Sequence, residues 1–310
     1  MEFKHIPVML SECINALSPK DNGIYFDGTL GGCGHSIEIL RQSSPNGKLI
    51  ATDLDTDAIE NAKSRLYEYN GRYQIFHNNF KEFLQVLEKS GYEYIDGALL
   101  DLGMSSYQID SDRGFAYIRD CKLDMRMNTE NSFSAETLIN EYSERELVDI
   151  FYKYGEEKFS KSIAKNICEY RKQTRIETTG QLVEIIEKSI PQKFKLVGGH
   201  PAKRVFQAVR IEVNGELKGL EQCLKDIVSK LRSGGRLAVI TFHSLEDRIV
   251  KSVFTELETD CICDKRLPVC VCGKKREVKS LTNKPIVASS QELLVNSRAK
   301  SAKLRVVEKI

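Results

Sequence analysis

The sequence predicts an α/β protein, a parallel sheet covered by helices on both faces and interrupted by a separate helical domain. Three observations carry this. Over the first 102 residues, short apolar runs alternate with helical patterns. The alternation stops between Ile109 and Val205, where the signals are mainly helical. It then resumes with a long amphipathic helix and a strong apolar strand. Apolar strands separated by helices give a sheet buried on both faces, because the crossover helices cover it. The expected division is therefore a sheet domain in two pieces, 1–108 and 206–310, with a helical domain inserted at 109–205.

Taken in order, residues 24–27 form the first apolar strand and run into a glycine-rich turn from Gly28 to Gly34. A helix with Ile37 and Leu40 on one face follows. Residues 49–52 give a second strand ending at Asp53, 58–69 a helix, 73–77 a third strand and 80–89 a third helix. Residues 94–102 are almost continuously apolar and give a fourth strand. In the insertion, Ser143 and Glu146 have capping-box spacing ahead of Leu147, Ile150, Phe151 and Tyr154, with Gly155 as the stop. Phe159, Ile163 and Ile167 share a second helical face, and Leu182, Ile185, Ile186 and Ile190 a third. Leu217, Leu220, Leu224, Ile227, Val228 and Leu231 trace the long helix, which Gly234-Gly235 ends. Residues 236–242 form the fifth strand, and 277–281 and 303–308 are late strand candidates.

Composition narrows the function classes. The 310 residues are 41% hydrophobic, enough for a large core, and the net charge is only +2. No run approaches the roughly 20 apolar residues of a membrane helix, and residues 1–17 lack the charged-then-apolar order of a signal peptide. Nine cysteines, five of them scattered singly, argue against a disulfide framework and for a reducing, cytoplasmic setting.

In a doubly wound sheet, ligands sit beyond the C-terminal ends of the strands. Strand one ends in Asp27-Gly-Thr-Leu-Gly-Gly-Cys-Gly-His35, where glycines permit a tight turn and close backbone approach. Strand two ends in Asp53, placed to accept hydrogen bonds from a ribose diol. The spacing fits an adenosine-containing cofactor. No G-x-G-x-x-G and no G-x-x-x-x-G-K-[ST] occurs, which disfavours NAD and ATP. Asp27 would repel a pyrophosphate and attract a cation, so charge favours S-adenosylmethionine, which carries an ammonium and a sulfonium and no phosphate. Strand four ends in Asp101-Leu-Gly-Met-Ser-Ser106, with Gln108 just beyond. Polar groups there would sit where methyl donor and acceptor meet; the alternative is a plain turn with Asp101 as a helix cap.

The motifs Asp27-Gly-Thr-Leu-Gly-Gly-Cys-Gly-His-Ser36, Leu100-Asp-Leu-Gly-Met-Ser-Ser106, Arg113-Gly-Phe115, Leu123-Asp-Met-Arg-Met127, Tyr154-Gly-Glu-Glu157, Phe206-Gln-Ala-Val-Arg-Ile211 and Phe242-His-Ser-Leu-Glu-Asp-Arg248 resemble the RsmH (MraW) family of bacterial 16S ribosomal RNA (cytosine-N4)-methyltransferases. The resemblance runs from His5 to about Arg305. It implies a Rossmann-like class I S-adenosylmethionine-dependent methyltransferase sheet with an inserted helical, RNA-recognising domain. It implies cofactor contacts from Cys33, Gly34, His35, Asp53, Phe80 (against the adenine), Asp101 and Gln108. Cys33 stands where many relatives carry Gly or another small residue; a backbone contact survives that change. The implied partner is 16S rRNA within the small ribosomal subunit.

The reaction implied is in-line attack of the cytosine N4 amine on the sulfonium methyl. The amine lone pair is delocalised into the ring, so close alignment and an acceptor for the amine hydrogens both help. Asp101 is the candidate acceptor, alongside its implied cofactor role. His243, after strand five, either contacts the base or relays a proton, or is a packed, hydrogen-bonded histidine at a turn. No metal is required by this chemistry.

Residues 151–210 carry 13 Lys and Arg against 6 Glu and no Asp, a net +7 in a near-neutral chain. Such a segment is the footprint of phosphate contacts or simply a solvated face. Lys158, Lys161, Lys165, Arg171, Lys172, Arg175, Lys203, Arg204 and Arg210 are the candidate contributors. The target base must leave its stack, so Phe and Tyr near the cleft would stack on it. Separately, Cys261-x-Cys263-x6-Cys270-x-Cys272 offers four soft ligands within 12 residues; the readings are a structural metal site outside catalysis or four reduced thiols.

The competing function from another class is a catalytically silent RNA-binding protein that kept the fold; intact Asp53 and Asp101 argue against decay. A DNA amino-methyltransferase would carry a Pro-Pro-Tyr-type motif after strand four, where this chain has Leu-Gly-Met.

Overall fold

The computed structural model describes residues 6–105, 108–109, 111–195, 199–264 and 269–310. These divide into two compact units, 1–103 with 219–310, and 104–218. The insertion is therefore longer at its C-terminal end than the sequence suggested. A break at 205/206 would cut the helix Ala202–Asn214, whose Val205, Phe206, Ala208 and Val209 all belong to the helical unit's core. Gly215 ends that helix in the left-handed conformation, and the chain passes to the sheet unit at Gly219.

In the sheet unit, eight described strands run in the order β3-β2-β1-β4-β5-β8-β6, with β7 also paired to β8. They are β1 (Ile24–Asp27), β2 (Lys48–Asp53), β3 (Tyr73–His77), β4 (Ile95–Asp101), β5 (Leu231–Thr241), β6 (Val278–Ser280), β7 (Ile286–Val287) and β8 (Lys303–Lys309). β1 to β5 are mutually parallel; β8 runs antiparallel to β5, and β6 and β7 antiparallel to β8. The chain winds outward from β1 to β3 and then returns to place β4 on the other side of β1. This reversal opens a crevice at the C-terminal tips of β1 and β4.

Period-two alternation splits each central strand between two cores. Phe26, Ile50, Ala98, Leu100 and Val239 face one, with Phe83, Leu224, Ile227 and Val253 from the helices Phe83–Ser90, Leu220–Lys230 and Ser244–Glu258. Tyr25, Leu49, Ala51, Leu99 and Ala238 face the other, with Ile14, Ile39, Leu40 and Ala62 from Leu10–Leu17, Gly34–Gln42 and Thr56–Arg65. Burying one Leu or Phe side chain contributes about 2 kcal/mol, so this two-sided burial fixes the strand tips from which the site is built.

β5 starts five residues before the expected 236. Leu231 pairs with Ile95, then the ladder skips to Arg236 with Gly97. The intervening excursion needs Gly234, at φ +81°, where side-chain-bearing residues are strained. The two-residue β7 carries no period-two signal and was not anticipated.

The helical unit has its own core, including Leu123, Leu138, Leu147, Phe151, Ile163, Ile167, Leu182, Ile186 and Val209. The expected capping box is present: Ser143 accepts from the Glu146 N–H, and Glu146 accepts from the Ser143 N–H at 2.7 Å. No helix among the described residues is long and apolar enough to cross a membrane.

Candidate active site

The glycine-rich loop after β1 is held from three sides. Gly28 donates its N–H to Leu99 O at 3.0 Å, and Thr52 donates its hydroxyl to Gly28 O at 2.9 Å. A Cβ on Gly28 would collide with the Leu100 side chain and lie 2.9 Å from Phe80 Cβ, so only glycine lets β1 pass this closely. Asp27 is buried, and both of its oxygens are engaged: Oδ1 accepts from the Thr29 N–H at 3.1 Å and Oδ2 from the Ser36 hydroxyl at 2.6 Å. Burial raises its pKa. Asp27 therefore ties the loop to the helix Gly34–Gln42, and its charge acts on a ligand only through space.

Asp53, at the tip of β2, reaches across to the loop. Its Oδ2 accepts from the Gly31 N–H at 2.7 Å and its Oδ1 from the Asp55 N–H at 2.8 Å. Asp101, at the tip of β4, receives the loop from the other side, since its own N–H donates to Thr29 Oγ1 at 2.7 Å. Its side chain accepts only a long 3.3 Å bond from the Gly103 N–H, leaving Oδ2 without a hydrogen bond among the described residues. Desolvation raises both carboxyl groups to about 6. Three acidic groups thus converge on neighbouring strand tips, and their hydrogen bonds are to backbone N–H and hydroxyl groups rather than to Lys or Arg.

Of the expected cofactor residues, the sheet unit brings together Cys33, Gly34, His35, Asp53, Phe80 and Asp101. Cys33 is buried at φ +62°, a conformation that favours glycine, and its N–H donates to Leu30 O. Gly34 opens the helix; a Cβ there would stand 2.6 Å from Pro7. The His35 ring is buried with Nε2 3.0 Å from Val8 O, and burial lowers its pKa, so its ring is committed to the N-terminal segment. Phe80 sits in the 3-10 turn Phe80–Glu82 beside Gly28, with its carbonyl accepting from Cys223 Sγ at 3.3 Å.

Gln108 belongs to the helical unit. It is buried, and it exchanges 3.2 Å bonds with Ser105 across its own turn. Ser106 of the strand-four motif and His5 lie outside the described residues.

For His243, the geometry matches the packed alternative. It is the N-cap of the helix Ser244–Glu258, and Nδ1 accepts from the Glu246 N–H at 3.4 Å. Nε2 lies 3.0 Å from Glu246 Oε1 but off the direction a hydrogen bond requires. Glu246 in turn accepts from the Phe242 N–H at 2.8 Å. The His-x-x-Glu spacing is that of a capping box, a signal the sequence reading passed over. Thr29 and Arg65 were also missed. Arg65 Nη1 donates to Gly32 O, a pairing 33 positions apart that no local pattern encodes.

In the helical unit, four of the nine basic candidates serve the unit itself. Arg171 donates to the carbonyls of Ile139 and Tyr142, at 2.6 and 2.5 Å. Lys172 pairs with Glu169, Arg175 with Glu136 and Arg210 with Glu216. Arg204 is exposed and reaches Glu156 O at 3.5 Å. Lys158, Lys161, Lys165 and Lys203 are exposed, and their side chains form no hydrogen bond or ion pair among the described residues.

A family model described as "MraW methylase family" matches residues 2–310. The chain belongs to the MraW methylase family. Curated relatives named ribosomal RNA small subunit methyltransferase H are 55% identical (Clostridium botulinum, strain Loch Maree / Type A3) and 52% identical (Clostridioides difficile, strain 630). Each match covers 100% of both chains. Among solved structures, an rRNA methylase from Streptococcus thermophilus aligns over 97% of this chain and 93% of that one, at 12% identity and a TM-score of 0.41. Methyl transfer is the activity of an MraW methylase, and the order β3-β2-β1-β4-β5, reversing at β1, is that of a doubly wound sheet. The other MraW motifs hold the fold: Asp124 and Arg126 form a two-bond ion pair at 2.6 and 2.8 Å. Asp247 likewise pairs with Arg305 at 2.7 Å.

Proposed function

We propose that this chain transfers a methyl group from S-adenosylmethionine to the exocyclic N4 amine of a cytidine in 16S rRNA, acting in the cytoplasm on the small ribosomal subunit. The observation that carries the reading is Asp101, a carboxylate at a strand tip with an unused oxygen among the described residues and a pKa raised by burial to about 6. The names of the curated relatives support the rRNA substrate.

The residues fit the donor on charge. Asp27, Asp53 and Asp101 are desolvated acids with no Lys or Arg bonded to them among the described residues, and desolvation raises each of them. A ligand bearing an ammonium and a sulfonium offsets that cost, whereas a pyrophosphate would increase it. Asp53 would hold the ribose diol, the N–H groups of Gly34 and His35 at the helix start the donor's polar end, and Phe80 the adenine. When bound, the donor supplies an already activated methyl group, with no need of a metal.

Asp101 has two tasks at its free oxygen. Ionised, it accepts a hydrogen bond from an amine N–H, which concentrates the lone pair on nitrogen. As the new C–N bond forms and the S–C bond breaks, the nitrogen becomes cationic and must lose a proton. A carboxylate with pKa about 6 is ionised at neutral pH and takes that proton before passing it to solvent. Thr29 and Gly103 fix the Asp101 backbone and side chain, and His243 with Glu246 fixes the start of the neighbouring helix. His243 is thus a positioning residue. Lys158, Lys161, Lys165 and Lys203 supply the uncommitted phosphate contacts.

The test is mass mapping of 16S rRNA from cells lacking this gene. Loss of one N4-methylcytidine, restored by the wild-type chain and not by Asp53→Ala, is the expected result. Unchanged modification in the deletion strain would overturn the proposal.

A further inference from the structure

The four cysteines between the helix Ser244–Glu258 and β6 play no part in the chemistry above, yet they converge. Their sulfur atoms all lie within 4.8 Å of one another. The separations are 3.5 Å for Cys261–Cys270, 3.6 Å for Cys270–Cys272, 3.8 Å for Cys261–Cys272 and 3.9 Å for Cys263–Cys270. Four thiolates at about 2.3 Å from a tetrahedral zinc would stand about 3.8 Å apart. A disulfide needs roughly 2.05 Å and would draw the sulfurs into two close pairs. The near-equal spacing is that of a coordination shell.

The surroundings agree. Backbone N–H groups donate to the sulfurs, Cys263 N to Cys261 Sγ and Val271 N to Cys263 Sγ, each at 3.4 Å. Such bonds stabilise thiolate ligands and fix their orientation. Lys274 and Lys275 follow directly and would offset the double negative charge of a zinc tetrathiolate. Among the described residues of the loop, the hydrophobic side chains give no support: Ile262, Val269 and Val271 are each at least 70% exposed. Its base is closed by the Glu277 N–H to Leu257 O bond at 2.9 Å and by the Arg276–Asp260 ion pair at 2.8 Å. Among the described residues above that base, the groups that converge are the four thiols. Ordering a loop costs about 1–2 kcal/mol per residue in backbone entropy, and thiol–thiol contacts do not offset that cost. A metal does.

We propose that Cys261, Cys263, Cys270 and Cys272 bind one zinc ion as four thiolates and thereby staple the connection that leads into the edge strand β6. Binding releases the thiol protons to solvent. With four protein ligands the shell is closed, so the site is structural rather than catalytic.

The test uses the full-length chain, purified without chelator and desalted, with metal measured by inductively coupled plasma mass spectrometry. One zinc per chain is expected, released in step with modification of the four thiols by an organomercurial. Cys261→Ser with Cys270→Ser should lose the zinc, while Cys121→Ser with Cys168→Ser keeps it. Should the first pair fail to fold, cobalt loading of the wild-type chain gives an independent reading, with the intense visible bands of a tetrahedral thiolate expected. Chelation of the wild-type chain should speed tryptic cleavage at Lys274, Lys275 and Arg276 and leave methyl transfer intact. Four metal-free titratable thiols, two disulfides by intact mass, or stoichiometric iron in place of zinc would each overturn the assignment.

Discussion

Replacing Asp53 by Asn separates binding from folding at the centre of the site. In the wild type, the two carboxylate oxygens accept from Gly31 and Asp55 at 2.7 and 2.8 Å. Asn keeps one acceptor, and its amide group faces a backbone N–H. One bond to a charged group is lost, a cost of about 1.5–3 kcal/mol. Against this, the folded state at neutral pH carries an ionised carboxylate whose pKa has risen from 3.8 to about 6. That penalty is at most about 3 kcal/mol and is smaller in practice, because the group is partly exposed. The two effects oppose each other, so the melting temperature should move by only a few degrees. Binding has no such compensation. The ribose diol loses charge-assisted bonds worth about 3 kcal/mol together, which is roughly a hundredfold in Kd. Calorimetric titration of S-adenosylmethionine at pH 7.5, beside a thermal melt, reads both quantities. A Kd within about threefold of wild type in a normally folded variant would refute Asp53 as a cofactor ligand.

Further outcomes follow from the same geometry. Donor affinity should fall as pH drops through about 6, where Asp53 and Asp101 take up protons; calorimetry from pH 5 to 7.5 checks this, and a flat profile contradicts it. The linkage has the opposite sign for the apo protein. A raised carboxyl pKa contributes stability below about 4 that is lost as pH rises through about 6, so the thermal shift given by the donor should grow over that window. Gly28→Ala should destabilise by about 1–3 kcal/mol and weaken donor binding, because the new methyl meets Leu100 and Phe80; denaturant melts and titration measure it. His243→Asn, which preserves a cap, should keep most activity, whereas His243→Ala loses about 1 kcal/mol of stability; equal loss of turnover in two folded variants would restore a catalytic role to the ring. Lys161→Glu with Lys165→Glu should weaken RNA binding and flatten its salt dependence without altering donor affinity; filter binding across salt concentrations decides it.

Much of the sheet unit was legible because its signals are local. Ile24-Tyr-Phe26 is an apolar run that leads through Asp27 into a glycine loop, and Asp53 and Asp101 mark strand ends by their positions alone. What was hidden depends on contacts between distant positions. Gly234-Gly235 read as the end of a helix, because a strand that bulges around glycine has the same local pattern. The nine basic residues read as one surface, because a charge count sees cations and not their partners. Arg171, Arg175 and Arg210 turned out to be engaged within their own unit. His243 looked chemical by residue type, and its cap became apparent only once Glu246 was seen to close the box.

The most direct measurement starts from small ribosomal subunits of cells lacking this gene, incubated with the purified chain and S-adenosylmethionine bearing a trideuterated methyl group. Nuclease fragments of the 16S rRNA are then weighed and sequenced by mass spectrometry. A single cytidine should gain the heavy methyl on N4, and Asp101→Asn should slow that gain severely while still binding the donor. Label appearing on a different atom or base, or full turnover by Asp101→Asn, would contradict the account.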